Sequence, residues 1–397
     1  MNIWIEPTGR RIQPFDDPPG DTLIQNRPLR DWQAAMVRDA GLTVVDSLKA
    51  PCLVVPDTLW TTGEALRAFL EGAAGRDAVF VLKQSLFGRL STPVQPQVSP
   101  VDGGWRFEAV RFHSGAGLEP VDVVVDPDEE TKTLPIPGRY VGNGEVELSL
   151  ARRPVMTLHH WVHILWANQF AGLLGLRTIP KWKAALSLLW AVIRSFSFNK
   201  WRVLSKLNRI GKGCDIHPTA VVEGSELGAG VSVGPFARIL FSTVGDGATI
   251  LGGASVEAST LGPKAMVCQQ TVLRLCVLYP EAIAGQEVMQ FCVLGRGVVT
   301  TLASYSIDLN FDQTIRVPLD GVMWDTGTHF LGSAFGHGAR IGTGHWMSHG
   351  RMIPNGYFVV RDPRQVIARI PAGLADAGPL ANDHGTLVPV SQLKADS

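Results

Sequence analysis

The rhythm of apolar positions changes along this chain, and its most regular stretch lies between Ile210 and Leu278. Four anchors recur there in steps of seventeen: Ile210-Gly211-Lys212-Gly213, Leu227-Gly228-Ala229-Gly230, Val244-Gly245-Asp246-Gly247 and Leu261-Gly262-Pro263-Lys264. Leu278 keeps the register for one more step. Between the anchors stand Ile216, Val222, Val233, Ile239, Ile250, Val256 and Val267, spaced by five or six. Neither a helical face nor strict alternation has this period. It predicts a triangular coil with three short strands per turn, one aliphatic pointing inward from each face and small residues at the corners. That is a hexapeptide-repeat parallel β-helix, which needs about three stacked coils to close a core. Regular six-residue steps return at Phe335, Ile341, Met347, Ile353 and Val359. The polar run Ser306-Ile307-Asp308-Leu309-Asn310-Phe311-Asp312-Gln313 predicts an insertion over about 303–330, and solenoid insertions gather on one face.

Residues 1–150 carry another rhythm, that of an α/β domain. Helical spacing from Arg27 to Ala40 lies between Pro28 and Gly41, and Thr62 is placed to cap a helix reaching about Ala74. Leu42-Thr43-Val44-Val45, Leu53-Val54-Val55 and Val79-Phe80-Val81-Leu82 read as strands. Strands alternating with helices predict a parallel sheet. From Thr92 to Leu150 only short β-like runs are legible, such as Val121-Asp122-Val123-Val124-Val125.

Residues 151–209 are a basic, Trp-rich helical connector. From Leu148 to Cys214 there is no Asp or Glu, against eleven Lys and Arg and five Trp. Helices are expected over Val155 to Leu174, over Lys181 to about Ser195, and from a cap at Asn199. Apolar faces with Trp flanked by cations suit a membrane interface; a connector packed on the solenoid is the other reading. His159, His160 and His163 bring imidazoles together, without a nearby carboxylate to complete a metal site.

Three segments carry resemblances. Asn26-Arg27-Pro28-Leu29-Arg30-Asp31-Trp32-Gln33 with Ala40-Gly41-Leu42, and Val54-Val55-Pro56-Asp57, resemble sugar-1-phosphate nucleotidyltransferases. The resemblance implies a metal-ligand role for Asp57, with Mg²⁺ relevant only if this half is active. That family's Gly-rich phosphate loop has no counterpart, since Pro7-Thr8-Gly9-Arg10-Arg11 stands there; nucleotidyl transfer is not expected. Ile216-His217-Pro218 through Val233-Gly234-Pro235-Phe236-Ala237 is similar to the opening coils of hexapeptide acyltransferases. Asp320-Gly321, Asp325-Thr326-Gly327 and the run Leu331 to Gly342 resemble bifunctional nucleotidyltransferase/acetyltransferases. Together these imply a left-handed parallel β-helix over 210–370, a tail over 371–397 and a homotrimer.

Acyl transfer from a thioester needs a base near the acceptor, and imidazole suits neutral pH. His329, His337, His345 and His349 fall within 21 positions. His337 and then His345 are the candidate bases, with Asp325 or Asp308 to orient them; His329, Asp308, Asn310 and His349 are candidate substrate contacts. The expected function is transfer of an acetyl or acyl group from acetyl-CoA or another acyl thioester to a sugar or sugar-nucleotide in envelope polysaccharide synthesis. A degenerate scaffold and a γ-carbonic-anhydrase-like zinc protein stay open as alternatives.

Composition adds three limits. The 397 residues suit two to three domains. A formal net charge of zero gives no case for nucleic acid. The five cysteines form no paired zinc motif, three or four of them are expected inside the coil, and the N-terminus shows no signal-peptide pattern. The expected location is cytoplasmic, with peripheral contact at the inner membrane face.

Overall fold

The computed structural model describes residues 1–135, 145–178, 181–374 and 378–393. The inward aliphatics of the solenoid stand in columns. Ile210 pairs with Leu227, and the ladder continues through Val244, Leu261, Leu278, Leu294 and Phe335 to Ile353. A second column runs from Ile216 through Val233, Ile250 and Val267 to Ala284. A third runs from Val222 through Ile239, Val256 and Leu273 to Met289. Two parallel sheets of eight strands and one of five form the three walls. Val244, Ile250 and Val256 are sealed, while Ile210 at the open end is half exposed.

One corner carries a hydroxyl ladder. Ser225 Oγ accepts from Ser242 N, Ser242 Oγ from Ser259 N, and Ser259 Oγ from Cys276 N. A small side chain every seventeen residues thus satisfies backbone donors that would otherwise be buried without partners. The step shortens to sixteen between Leu278 and Leu294, one coil before the insertion. Cys276 and Cys292 are buried in the coil, Cys214 and Cys268 are half-buried, and Cys52 lies in the N-terminal sheet; all five are free thiols.

The N-terminal sheet departs from the parallel arrangement that the sequence predicts. Strands β1 (Asn2–Glu6), β2 (Thr43–Val44), β3 (Cys52–Pro56), β4 (Ala78–Lys83), β5 (Gly104–His113) and β6 (Val121–Val125) lie in the order β6-β4-β5-β3-β1-β2. β5 runs antiparallel between β3 and β4. The two-residue connection Asp102-Gly103, with Gly103 at φ +80°, joins Val98–Val101 to the side of β5 as a hairpin. So short a connection joins only antiparallel strands. Helix α1 (Leu29–Ala40) ends on Gly41 at φ +70°, and α2 (Gly63–Ala73) starts at Thr62, whose hydroxyl accepts from Ala65 N.

The connector also differs at its start. Val155–Thr157 is a strand antiparallel to Leu59–Thr61, and α4 (Trp161–Thr178) begins only afterwards; α3 (Leu86–Ser91) lies between β4 and β5. Pairing supplies the backbone partners that Leu59–Thr61 would otherwise lack. Trp161, Ile164, Leu165 and Ala167 of α4 are sealed in the N-terminal core, which continues into Tyr279, Val293, Val317 and Leu331 of the solenoid. Helices α5 (Lys181–Ser195) and α6 (Lys200–Leu204) follow.

His163 explains the histidine cluster. Its Nδ1 accepts from the backbone N–H groups of His159 and His160, so Nε2 carries the proton and donates to Pro93 O at 3.1 Å. The ring closes the start of α4, and burial lowers its pKa to about 4.

Candidate active site

The later coils position the candidate site. After Val299–Thr300 and Tyr305–Ser306 the chain leaves the coil, builds the hairpin Arg316–Leu319 with Val322–Asp325, and re-enters at Ala334–Phe335. Arg340–Ile341 then leads to a corner, Gly342-Thr343-Gly344-His345, and on to Trp346–Met347. Gly344 sits at φ +76°, and a Cβ there would stand 2.8 Å from Arg361 Nη1. Glycine is the residue that meets both demands.

At this corner His345 Nδ1 donates to Gly342 O at 2.7 Å, because a carbonyl only accepts. The tautomer is thereby set, and Nε2 keeps its lone pair with no protein partner among the described residues. The ring lies beside Gly342, with Cε1 3.8 Å from where a Cβ of that glycine would be. Gly342 and Thr343 line a cleft of about 770 Å³ with Thr301, Phe358, Val360, Arg361, Gln365, Val366, Ile367 and Asn382. Its walls are mostly apolar, with a few polar groups converging on it, which is the usual build of a ligand site. Thr301 Oγ1 donates to Ile341 O at 3.0 Å and lies 3.2 Å from Thr343 Oγ1. Arg361 Nε donates to Gln365 Oε1 at 3.2 Å.

His337 is engaged differently. Its Nδ1 accepts from Arg296 N at 2.8 Å, so Nε2–H donates to Asp17 Oδ2 at 3.1 Å. Arg296 Nη1 donates to both oxygens of the same carboxylate. Phe15 and Tyr279 pack on the ring with centroids 5.0 and 5.7 Å away. Burial acts to raise the Asp17 carboxyl, but hydrogen bonds from His337 and Arg296 outweigh it and hold the group below its usual range. Both nitrogens of His337 are therefore occupied in a clasp joining the N-terminal segment to the solenoid.

The other candidates lie on the insertion. Asp325 accepts from Thr314 Oγ1 and Gly327 N, which shapes the hairpin's exit. His329 Nδ1 donates to Asn310 O, and Asn310 N donates to His329 O. Asn310 Oδ1 accepts from Asp312 N. Asp308 is half-buried, and burial raises its carboxyl despite its own backbone N–H and Arg274. His349 keeps Nδ1 buried without a partner. No hydrogen bond links Asp325 or Asp308 to His337 or His345 among the described residues. The sequence reading missed Arg361, Asn382, Thr301 and Thr343 of the cleft, and Asp17 and Arg296 of the clasp.

Asp57 stands at the carboxyl end of β3, where Thr8 Oγ1 donates to its Oδ1 at 2.6 Å. The same hydroxyl accepts from Arg10 N, and Glu6 is directed at Arg111. Asp57 is not part of any group of three His, Cys, Asp or Glu among the described residues, whereas Mg²⁺ prefers a hard, anionic oxygen set. Arg10 instead pairs with Asp320 at the hairpin tip, at 2.7 Å. No group of three His, Cys, Asp or Glu stands together for a metal among the described residues of the chain.

No family model matches the sequence, and no curated protein does. Among solved structures, a "putative acetyltransferase" from Bacillus cereus aligns at 15% identity over 36% of this chain and 79% of its own, with a TM-score of 0.16. The polysialic acid O-acetyltransferase OatWY aligns at 14% identity over 40% and 83%, with a TM-score of 0.15. Overlaps this loose say nothing of the chemistry, which rests on the cleft itself.

Proposed function

We propose that the chain is a thioester-dependent acyltransferase acting at the cleft beside Gly342, with His345 as general base. The observation that carries the reading is the wiring of that imidazole. Nδ1–H is held by Gly342 O, Nε2 has no protein partner among the described residues, and the ring lies beside Gly342, which lines the cleft of about 770 Å³. In the reaction an acceptor hydroxyl or amine attacks the thioester carbonyl while Nε2 takes its proton. The tetrahedral adduct collapses, the C–S bond breaks, and the imidazolium returns the proton to the leaving thiolate. Phe358, Val360, Val366 and Ile367 offer apolar surface for the donor's chain, and Arg361 offers charge to an anionic donor such as acetyl-CoA. The sugar or sugar-nucleotide acceptor, the homotrimer and a place in cytoplasmic envelope polysaccharide synthesis are supported by the resemblance of residues 320–342 alone. In this reading His337 positions the two halves and does not exchange protons with substrate.

The test supplies full-length protein with acetyl-CoA, longer acyl-CoA or acyl-carrier-protein donors and sugar acceptors, and follows released thiol. His345→Gln is expected to lower kcat by about a hundredfold to ten-thousandfold and to leave donor affinity within about twofold. Arg361→Ala is expected to raise the donor Kd by about tenfold. A His345→Gln variant as active as the parent would place the base elsewhere. Failure to bind any donor would end the transferase reading in favour of a scaffold.

A further inference from the structure

Helix α5 and the turn after it leave their large apolar side chains in water. Trp182, Leu186, Leu189, Trp190 and Ile193 are each at least half exposed, and Phe196 and Phe198 are 94% and 93% exposed. On a helix of about 100° per residue the five helical positions fall within a stripe about 100° wide. Ala191 is buried, but Leu188, off the stripe, is 52% exposed and residues 182–190 are all exposed, so α5 stands out from the protein with the stripe in water. The other long helices of the fold behave normally: α1, α2 and α4 bury Met36, Leu66 and Leu165. A stripe of this size continued by two nearly bare phenylalanines calls for an occupant.

Charge decides which one. No Asp or Glu occurs from Leu148 to Cys214. Lys183, Arg194, Arg202 and Lys206 make no ion pair with a carboxylate among the described residues, and Lys183 Nζ lies 5.3 Å from the Trp182 ring centroid. A second copy docked through the same face would set cations against cations with no local carboxylate to relieve them. A surface that is apolar at depth and anionic at its rim answers both features. At about 22 Å the helix is too short to span a bilayer core of about 30 Å, and no helix among the described residues is long and apolar enough to cross one.

We propose that α5 and the Phe196–Phe198 turn form an in-plane anchor for an anionic phospholipid surface, with Trp182, Trp190, Phe196 and Phe198 inserted at headgroup depth. The inference stands apart from the acyl-transfer reading. The anchor would keep a soluble catalytic unit beside membrane-borne acceptors, yet its test does not depend on catalysis.

Full-length protein is co-sedimented with vesicles of phosphatidylcholine alone and of phosphatidylcholine mixed with phosphatidylglycerol. Binding is expected to the mixed vesicles and to weaken with added salt. The variants Trp182→Ala/Trp190→Ala and Phe196→Ser/Phe198→Ser are each expected to lose affinity about tenfold or more. Their thermal midpoints should stay at the parent's value, because these side chains face solvent. Lys183→Glu/Arg194→Glu should abolish the preference for phosphatidylglycerol. Equal binding to both vesicles, parental binding by the Trp and Phe variants, or self-association that those variants disperse would each overturn the proposal.

Discussion

Glu287 shows how one side chain couples the solenoid to pH. It is buried in the coil, where Thr300 Oγ1 donates to Oε1 and Oε2 has no partner. Burial pushes its carboxyl well above the ordinary value, the Thr300 hydrogen bond opposes this, and the Cys292 thiol beside it adds to the rise. The folded chain therefore holds a proton that the unfolded chain has released. Stability from this group is full below the unfolded value of 4.5 and is lost as pH rises toward the folded one. Glu287→Gln should raise the thermal midpoint at about pH 8 and flatten its decline between about pH 5 and 8; a variant that melts earlier at pH 8 would contradict this. His163 has the opposite sign. Its folded pKa of about 4 lies below the ordinary imidazole value of 6.5, so it contributes on the order of 3 kcal/mol at neutral pH that disappears as pH falls between those values. The same scale separates His345 from His337. Eight positions apart in similar corners, they differ in what the second ring nitrogen meets, and no sequence pattern states that.

At the scale of elements, the columns of the β-helix were readable because a solenoid repeats its burial pattern every coil, so each inward position is written several times. Ile250 is sealed between Val233 and Val267. Ile250→Ala should cost about 2–5 kcal/mol in denaturant unfolding, since neighbours above and below cannot close the gap without leaving their ladder; a loss under about 1 kcal/mol would show the column to be loosely packed. Elements without repetition were less legible. The Asp102-Gly103 turn signals the hairpin of Val98–Val101 with β5, but no local pattern places β5 antiparallel between β3 and β4. Val155–Thr157 carries an apolar run that suits the strand and the helix equally, and its pairing with Leu59–Thr61 decided between them. The helical span of α5 could be read from spacing, but its outward stripe could not, because the same residues would serve equally well in a core.

For the whole molecule, the consequence is a candidate site built from parts far apart in sequence. The clasp of Asp17, Arg296 and His337 fastens the N-terminal segment to the solenoid, and the 22–28 loop adds Gln25 to Thr260 and Asn26 to Leu261 O. The cleft is completed by Gln365, Val366, Ile367 and Asn382 beyond the last regular coil, where six-residue steps have ended and periodicity carries no information. The most direct measurement of the central claim is hydrogen exchange of full-length protein with and without acetyl-CoA. Slowed exchange is expected in peptides covering 342–367, with little change in residues 1–60. Protection confined to the N-terminal lobe, or none at saturating donor, would contradict it.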